Sequence, residues 1–294
     1  MSEAIKNRYE FTVLFDVENG NPNGDPDAGN MPRLDAETGY GIVTDVCLKR
    51  KIRNYVETVK EDTENYKIYI KEGAALVSKE RGAFTHVGVK DEKEAQDKKG
   101  DIDEKIRDFM CSNYFDIRTF GAVMVTFVKA RLNCGQVRGP VQIGFARSID
   151  PIVQQEITIT RVAITTEEDA KKKETEMGRK HIIPYALYRA DGYVSANLAR
   201  KTTGFSEEDL ELLWEAIANM FEHDHSAARG KMAVRSLLVF RHNSELGNCP
   251  AHKLFDTITI KRKDESAPAR SFADYIVKIE EGAIPATVTL QRLI

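Results

Sequence analysis

Between Asp16 and Asn30 the chain reads Asp-Val-Glu-Asn-Gly-Asn-Pro-Asn-Gly-Asp-Pro-Asp-Ala-Gly-Asn, and this run constrains the fold more than any other. From Asn19 to Asn30, eleven of twelve residues are Gly, Asn, Pro or Asp, which neither extend a strand nor start a regular helix. Before it, Tyr9, Phe11, Val13, Phe15 and Val17 face one way and Glu10, Thr12, Leu14 and Asp16 the other, the period of a strand. After it, Thr44 or Asp45 caps a helix running to about Lys60, with Leu48, Ile52, Tyr55, Val56 and Val59 on one face. The opening unit is thus a strand, a long loop with partly left-handed backbone and an amphipathic helix. Ordered connections of this length are often functional.

The rest of the chain mixes strands and helices without strict βαβα alternation, which favours an α+β fold. Glu61 to Tyr114 is charged and irregular, and Lys90 to Lys99 reads as a solvated helical piece. Gln136 to Ile149 alternates like a strand. Ile157–Thr165 and His181–Val194 read as two strands joined by a charged tip, a β-hairpin arm projecting from the body. Ser206-Glu-Glu-Asp209 opens a helix with a capping box. Lys231–Arg241, Leu254–Lys261 and Ala286–Leu293 look like strands, and Ser271–Ile279 like a short helix.

With 41% hydrophobic and 30% charged residues the composition is that of a soluble globular protein. Cys47, Cys111, Cys134 and Cys249 form no CxxC pair, which suits reduced thiols. No apolar run reaches membrane-spanning length, and the N-terminus has no apolar signal region, so the expected location is the cytoplasm. The net charge of −3 makes the whole chain no polybasic binder. Any anionic ligand must be held by a local patch.

Several chemistries can be weighed on these residues. The loop imitates the spacing of a calcium-binding EF-hand, with Gly24 at the sixth position, but Asn19 and Asn30 stand where that motif wants Asp and a bidentate Glu. Asp16, Glu18, Asp25, Asp27 and Asp35 could hold Mg²⁺, although Asp in such loops mostly makes turns. His223 and His225 at a helix end, and Cys249 with His252, lack the further ligands of a zinc site. There is neither a G-x-S-x-G elbow nor a Walker A loop. Basic residues offer more. Lys49, Arg50, Lys51 and Arg53 outnumber the helical acids near them, Asp45 and Glu57. They read either as a solvated helix edge or, with loop amides on the same side, as a phosphate site. Arg118, Arg138, Arg161, Arg179 and Lys180 are further cations, and Met177 near the arm's tip is either a wedge between bases or an ordinary exposed side chain.

Phe15-Asp-Val-Glu-Asn-Gly-Asn-Pro-Asn-Gly-Asp-Pro26, Gly39-Tyr-Gly-Ile-Val-Thr-Asp45 with Leu48-Lys-Arg-Lys-Ile-Arg53, and Phe115-Asp-Ile-Arg-Thr-Phe-Gly121 together resemble the Cas-seven family, the backbone subunit of type I-C CRISPR surveillance complexes (Cascade). Gly139 to Ser148 and Asn248 to Phe255 fit the same family, so the resemblance spans nearly the whole chain. It implies one elaborated RRM-like (ferredoxin-like) palm over 1–294, with a helical fingers insertion at 61–114 and a β-hairpin thumb at 150–185. It implies a non-catalytic subunit that polymerises along a CRISPR RNA and presents it to a target DNA strand, without a cofactor. The implied partners are further copies of itself, the guide-processing end-cap subunit, the large and small subunits and a recruited helicase-nuclease, with no membrane. The implied RNA-binding residues are Gly20, Asn21, Asn23, Gly24, Lys49, Arg50 and Arg53, Arg118 in the second signature, and Met177, Arg179 and Lys180 in the thumb. Type III relatives cut RNA with a loop Asp, so a metal-dependent ribonuclease using loop acids is the alternative. A variable guide calls for contacts to phosphate, sugar and shape.

Overall fold

Strand β1 (Tyr9–Gly20) runs through the middle of an antiparallel sheet in the computed structural model, which describes residues 3–98, 100–172 and 174–294. Met1 and Ser2 of the expected N-terminus, Lys99 of the expected polar helix and Lys173 of the expected arm lie outside the described residues. Both faces of β1 are covered from Tyr9 to Val17. Phe11, Val13, Phe15 and Val17 enter the main core. On the other face Leu14 packs with Leu187 and Tyr275, and the polar residues between are paired. Glu10 meets His242 and Arg8, Thr12 donates to Asp191 Oδ1 at 2.6 Å, and Asp16 accepts from Arg235 Nε at 2.8 Å.

The loop after β1 folds on itself as a two-residue ladder, β2 (Gly24–Asp25) with β3 (Met31–Pro32), before β4 (Tyr40–Val43) and α1 (Asp45–Lys60). Thr44 caps α1 by accepting from Cys47 N. Leu48, Ile52, Tyr55 and Val56 are buried as expected, whereas Val59 at the helix end is exposed. Next come α2 (Leu76–His86), α3 (Glu92–Asp97), α4 (Asp103–Asn113), α5 (Phe115–Phe120), β5 (Gly121–Val123), α6 (Val125–Lys129) and β6 (Gln136–Arg138). These elements build a second core around Tyr69, Phe84, Ile106, Met110 and Phe127 that runs on to Val137. The charged stretch after Glu61 is therefore part of a packed helical unit that extends past Tyr114.

The expected strand at 136–149 is broken into β6, β7 (Val141–Ile143) and β8 (Ala146–Pro151). The arm is β9 (Gln155–Arg161), a tip with α7 (Glu167–Ala170), and the first part of β10 (Glu176–Val194). β10 is one continuous strand of 19 residues. It pairs with β9 as far as Ile182 and with β1 from Ile183 onward. A short α8 (Ala196–Leu198) leads to α9 (Glu207–Asn219), whose Ser206–Asp209 capping box forms as expected. Then follow β11 (Lys231–His242), α10 (Ala251–Phe255), β12 (Ile258–Arg262), β13 (Tyr275–Ile279) and β14 (Val288–Arg292).

Two local expectations fail. The apolar run at 254–261 divides between α10 and β12. At 271–279 the Ser271–Asp274 capping box forms but supports only one 3-10 turn, because Tyr275-Ile-Val-Lys-Ile279 continues as a strand paired to β12. Capping starts a turn; only a following helical period prolongs it.

The sheet order is β14-β11-β1-β10-β8-β4. α1 follows β1 and α9 joins β10 to β11, so the central connectivity is β-α-β-β-α-β, with both helices in one core on the same face. The β12–β13 hairpin covers part of the opposite face through Tyr275, Ile260 and Val277.

Candidate nucleic-acid interface

The Asn/Gly/Pro loop is held by its own polar groups. Gly20 passes so close to the Arg229 backbone that any Cβ would overlap its carbonyl, and a Cβ on Gly24 would overlap the Asn30 side chain. Asn19, Gly29 and Asn30 all have left-handed φ values, where Asn and Gly cost least. Asn21 N donates to Ala228 O at 2.9 Å, and its Nδ2 donates to Asn30 O at 2.7 Å. Asn23 Oδ1 accepts from both Thr44 N and Thr44 Oγ1 at 3.0 Å, tying the loop to the start of α1. Asn30 N turns inward to Asp25 O at 2.7 Å. The backbone amides of Asn21 and Asn30 thus brace the loop from within.

Around this loop the chain forms two adjoining clefts. One, of about 360 Å³, lies between Asn21, Gly29 and Asn30 on one wall and Arg179, Lys180 and His181 on the other. The second, of about 370 Å³, runs from Asn21–Gly24 to Arg50, Lys51 and Asn54 on α1 and to Asp224 and Arg229. Asn21, Asn30 and Ala228 line both, making one groove from the base of the arm to α1. Five cations line it, Arg50, Lys51, Arg179, Lys180 and Arg229, against a single carboxylate, Asp224.

That carboxylate is shared. Lys51 and Arg229 both pair with Asp224, the latter at 2.8 Å. Arg50 pairs with exposed Glu72, Arg179 with Glu156 at 3.0 Å, and Lys180 Nζ donates to Ala227 O at 3.1 Å. Exposed pairs of this kind contribute about 0–1 kcal/mol. Arg50 and Arg179 can therefore exchange their carboxylates for phosphate oxygens at little cost, and charge-assisted bonds to phosphate are stronger than neutral ones.

The remaining expected cations sit elsewhere. Arg53 is buried and donates to Asp116 Oδ2 at 2.9 Å, beneath the Phe120 ring. Asp116 also accepts from the amides of Tyr69 and Ile70. Arg118 is buried in a two-pronged pair with Asp209, at 2.8 and 2.7 Å, and its other N–H groups reach the carbonyls of Cys111, Ser112 and Asn65. The Asp-Ile-Arg signature therefore clamps the helical unit to α1 and α9. Lys49 pairs with Asp45 at 2.9 Å and lies over Phe120. Met177 is 74% exposed on the arm and does not line the groove.

Of the residues expected from the sequence, the structure brings Asn21, Asn23, Gly24, Arg50, Arg179 and Lys180 to the lining of this groove, with Gly20 at its edge. Arg229, His181 and Asn54 line it without being expected there, and so does Lys51, a cation the sequence leaves unassigned. Arg229 had a signal, the His225-Ser-Ala-Ala-Arg-Gly230 turn, whose Gly230 has φ +63 beside Asn19.

The loop carboxylates do not converge. Asp16 pairs with Arg235, Glu18 with Lys231, Asp25 with Arg33 and Asp35 with Arg147. The Arg147 guanidinium holds Asp35 below the usual carboxylate range. Burial, with Asp16 beside it, pushes the Tyr185 hydroxyl up. Among the described residues no three His, Cys, Asp or Glu side chains come together as a metal would require, His223/His225 and Cys249/His252 included.

The family model "CRISPR-associated protein Cas7" matches residues 7–280. The chain belongs to the Cas7 family. A CRISPR-associated protein Cas7 from Haloferax volcanii is 28% identical over 295 aligned positions, covering 94% of this chain and 81% of that protein. Among solved structures, a chain of a CRISPR RNA-guided surveillance complex in a pre-nicking state matches with a TM-score of 0.50 and 14% identity, over 79% of this chain and 78% of its own. A second CRISPR RNA-guided surveillance complex gives 0.45 and 12%, over 79% and 68%. The first of these structures shares the fold: helices and a central antiparallel sheet, an α+β architecture as expected. Among the described residues no helix is long and apolar enough to cross a membrane.

Proposed function

We propose that this Cas7-family chain is the non-catalytic, CRISPR RNA-binding backbone subunit of a type I-C surveillance complex. The observation that carries the reading is the groove, with five cations over one lining carboxylate, placed where loop, α1 and arm meet. Such a site holds a phosphate backbone and is indifferent to base sequence, as a subunit serving variable guides requires. The β-α-β-β-α-β sheet is the RRM-like palm, the helical unit from Glu61 to Val137 the fingers, and the hairpin within 150–185 the thumb. Copies polymerise along the guide in the cytoplasm and present it to target DNA, alongside the end-cap, large and small subunits and the recruited helicase-nuclease.

In this reading the RNA contacts come from Asn21, Arg50, Arg179 and Lys180, joined by Arg229, while Lys51 is buried against Asp224 and holds the groove wall. Gly20, Asn23 and Gly24 shape the loop, Lys49 pairs with Asp45 at the start of α1, Met177 is a wedge between bases near the arm's tip, and Arg53 and Arg118 hold the scaffold. The ribonuclease alternative has less support, since Asp16, Glu18, Asp25 and Asp35 are paired to four separate cations. The test is guide binding by the Lys180→Ala/Arg229→Ala double variant, measured across a salt series with two unrelated spacers. The expected result is equal weakening for both spacers and a salt slope flatter by roughly 1–2 units. An unchanged slope overturns the groove assignment.

A further inference from the structure

Outside the groove one cleft stands apart by its rings. An open cavity of about 450 Å³ lies on the sheet face opposite α1 and α9, between β8, β10 and Ile260 of the β12 strand. Phe145, in the turn between β7 and β8, is 58% exposed there, and Tyr193 of β10 is 43% exposed. Two large aromatic side chains thus stand exposed to water on the lining of one cleft. A Phe or Tyr offers 150–250 Å² for burial, and apolar area left exposed forgoes about 25 cal/mol per Å².

Neither ring sits on loose chain. Gly144 N donates to Asp191 O at 2.9 Å, fixing the turn that carries Phe145. Tyr193 is braced edge-on against Phe255, with centroids 5.6 Å apart. Arg189 buttresses the same wall by donating to Asp191 Oδ1 and to the carbonyls of Phe255 and Ile258. Asp191, the only acid lining the cleft, is spent on Arg189 and Thr12. Arg147 stands at the rim, paired to Asp35 at 3.0 Å with its side chain 59% exposed.

We infer that this cleft is a second nucleic-acid contact, in which an unpaired base stacks on Phe145 or Tyr193 while Arg147 takes the adjoining phosphate. The cleft has room for one nucleotide, its free rings supply π-faces and its rim supplies a guanidinium that an exposed ion pair holds only weakly. Ring-plus-Arg surfaces without base-specific donors bind single strands irrespective of sequence. Arg189 neutralises Asp191 inside the cleft, and Asp35, which Arg147 gives up, lies outside its lining.

The test uses the full chain and a fluorescent oligoadenylate of roughly 12 nucleotides, titrated across a salt series, with Phe145→Ala, Phe145→Tyr and Lys180→Glu/Arg229→Glu compared. Phe145→Ala is expected to weaken binding about tenfold with the salt slope unchanged, since stacking releases no counterions. Phe145→Tyr should restore it. A strand carrying 5-iodouridine should crosslink to Phe145 or Tyr193. If Phe145→Ala leaves affinity unchanged and no adduct maps to either ring, the inference falls, and so it does if the variant alters only association between protein chains. The groove reading is judged separately by the charge-reversed pair. Its failure with Phe145→Ala still effective would leave the ring cleft standing, and the absence of any effect from either variant would remove both.

Discussion

Arg50 and Arg53 lie on the same helix, less than one turn apart, yet they belong to different parts of the molecule. Arg53 is buried against Asp116, which two backbone amides also hold, whereas Arg50 is exposed in the groove with one exposed glutamate for company. The same contrast separates Arg118, enclosed by Asp209 and three carbonyls, from Lys180 and Arg229. Charge density along a helix does not decide which cations are available to a ligand. What decides it is whether the fold brings an acid to each one and then removes the pair from water.

The largest effect that could break this comparison belongs to Arg118. Arg118→Ala leaves Asp209 buried and unpaired, and should cost roughly 3–5 kcal/mol of stability, read as a lower denaturation midpoint. If its main effect were on RNA affinity, with the midpoint unmoved, the division into scaffold and groove cations would collapse. Next comes Asn23→Ala, which removes the acceptor of two Thr44 bonds and should cost about 1–2 kcal/mol. It should also weaken guide binding modestly by loosening the loop against α1; thermal melts and titrations on one preparation separate the two. Smallest is Met177→Ala, expected within about 0.5 kcal/mol of the parent because the side chain is exposed. A large loss of stability there would mean that the arm packs differently.

The parts legible in the sequence were those set by neighbours along the chain. The β1 alternation, the Thr44 cap and the Ser206–Asp209 box need only local chemistry, and all three formed. The Asn/Gly/Pro loop was legible as a loop because its left-handed positions fall on Asn and Gly. The acids that claim the expected cations were not, since Asp116 is 63 positions from Arg53, Asp209 is 91 from Arg118 and Asp224 is 173 from Lys51. The second core was hidden for a related reason. Tyr69 comes from the connection before α2, and Phe84, Ile106 and Phe127 come from three separate short helices, so no single window carries their periodicity. Strand β13 was masked by the capping box just before it.

The 19-residue span of β10 has a mechanical consequence. The strand that forms one edge of the arm is also the one beside β1 at the centre of the sheet, and no break in it separates the two roles. At the changeover, Asn19 and Pro184 lie between the pairs Glu18–Tyr185 and Gly20–Ile183, so the ladder skips one step where the groove begins. The arm is thus a cantilever rooted in the middle of the body, with no joint at its base. A load on its tip is delivered to the floor of the groove and to the most deeply covered strand, so whatever grips the arm also pulls on the site beside it.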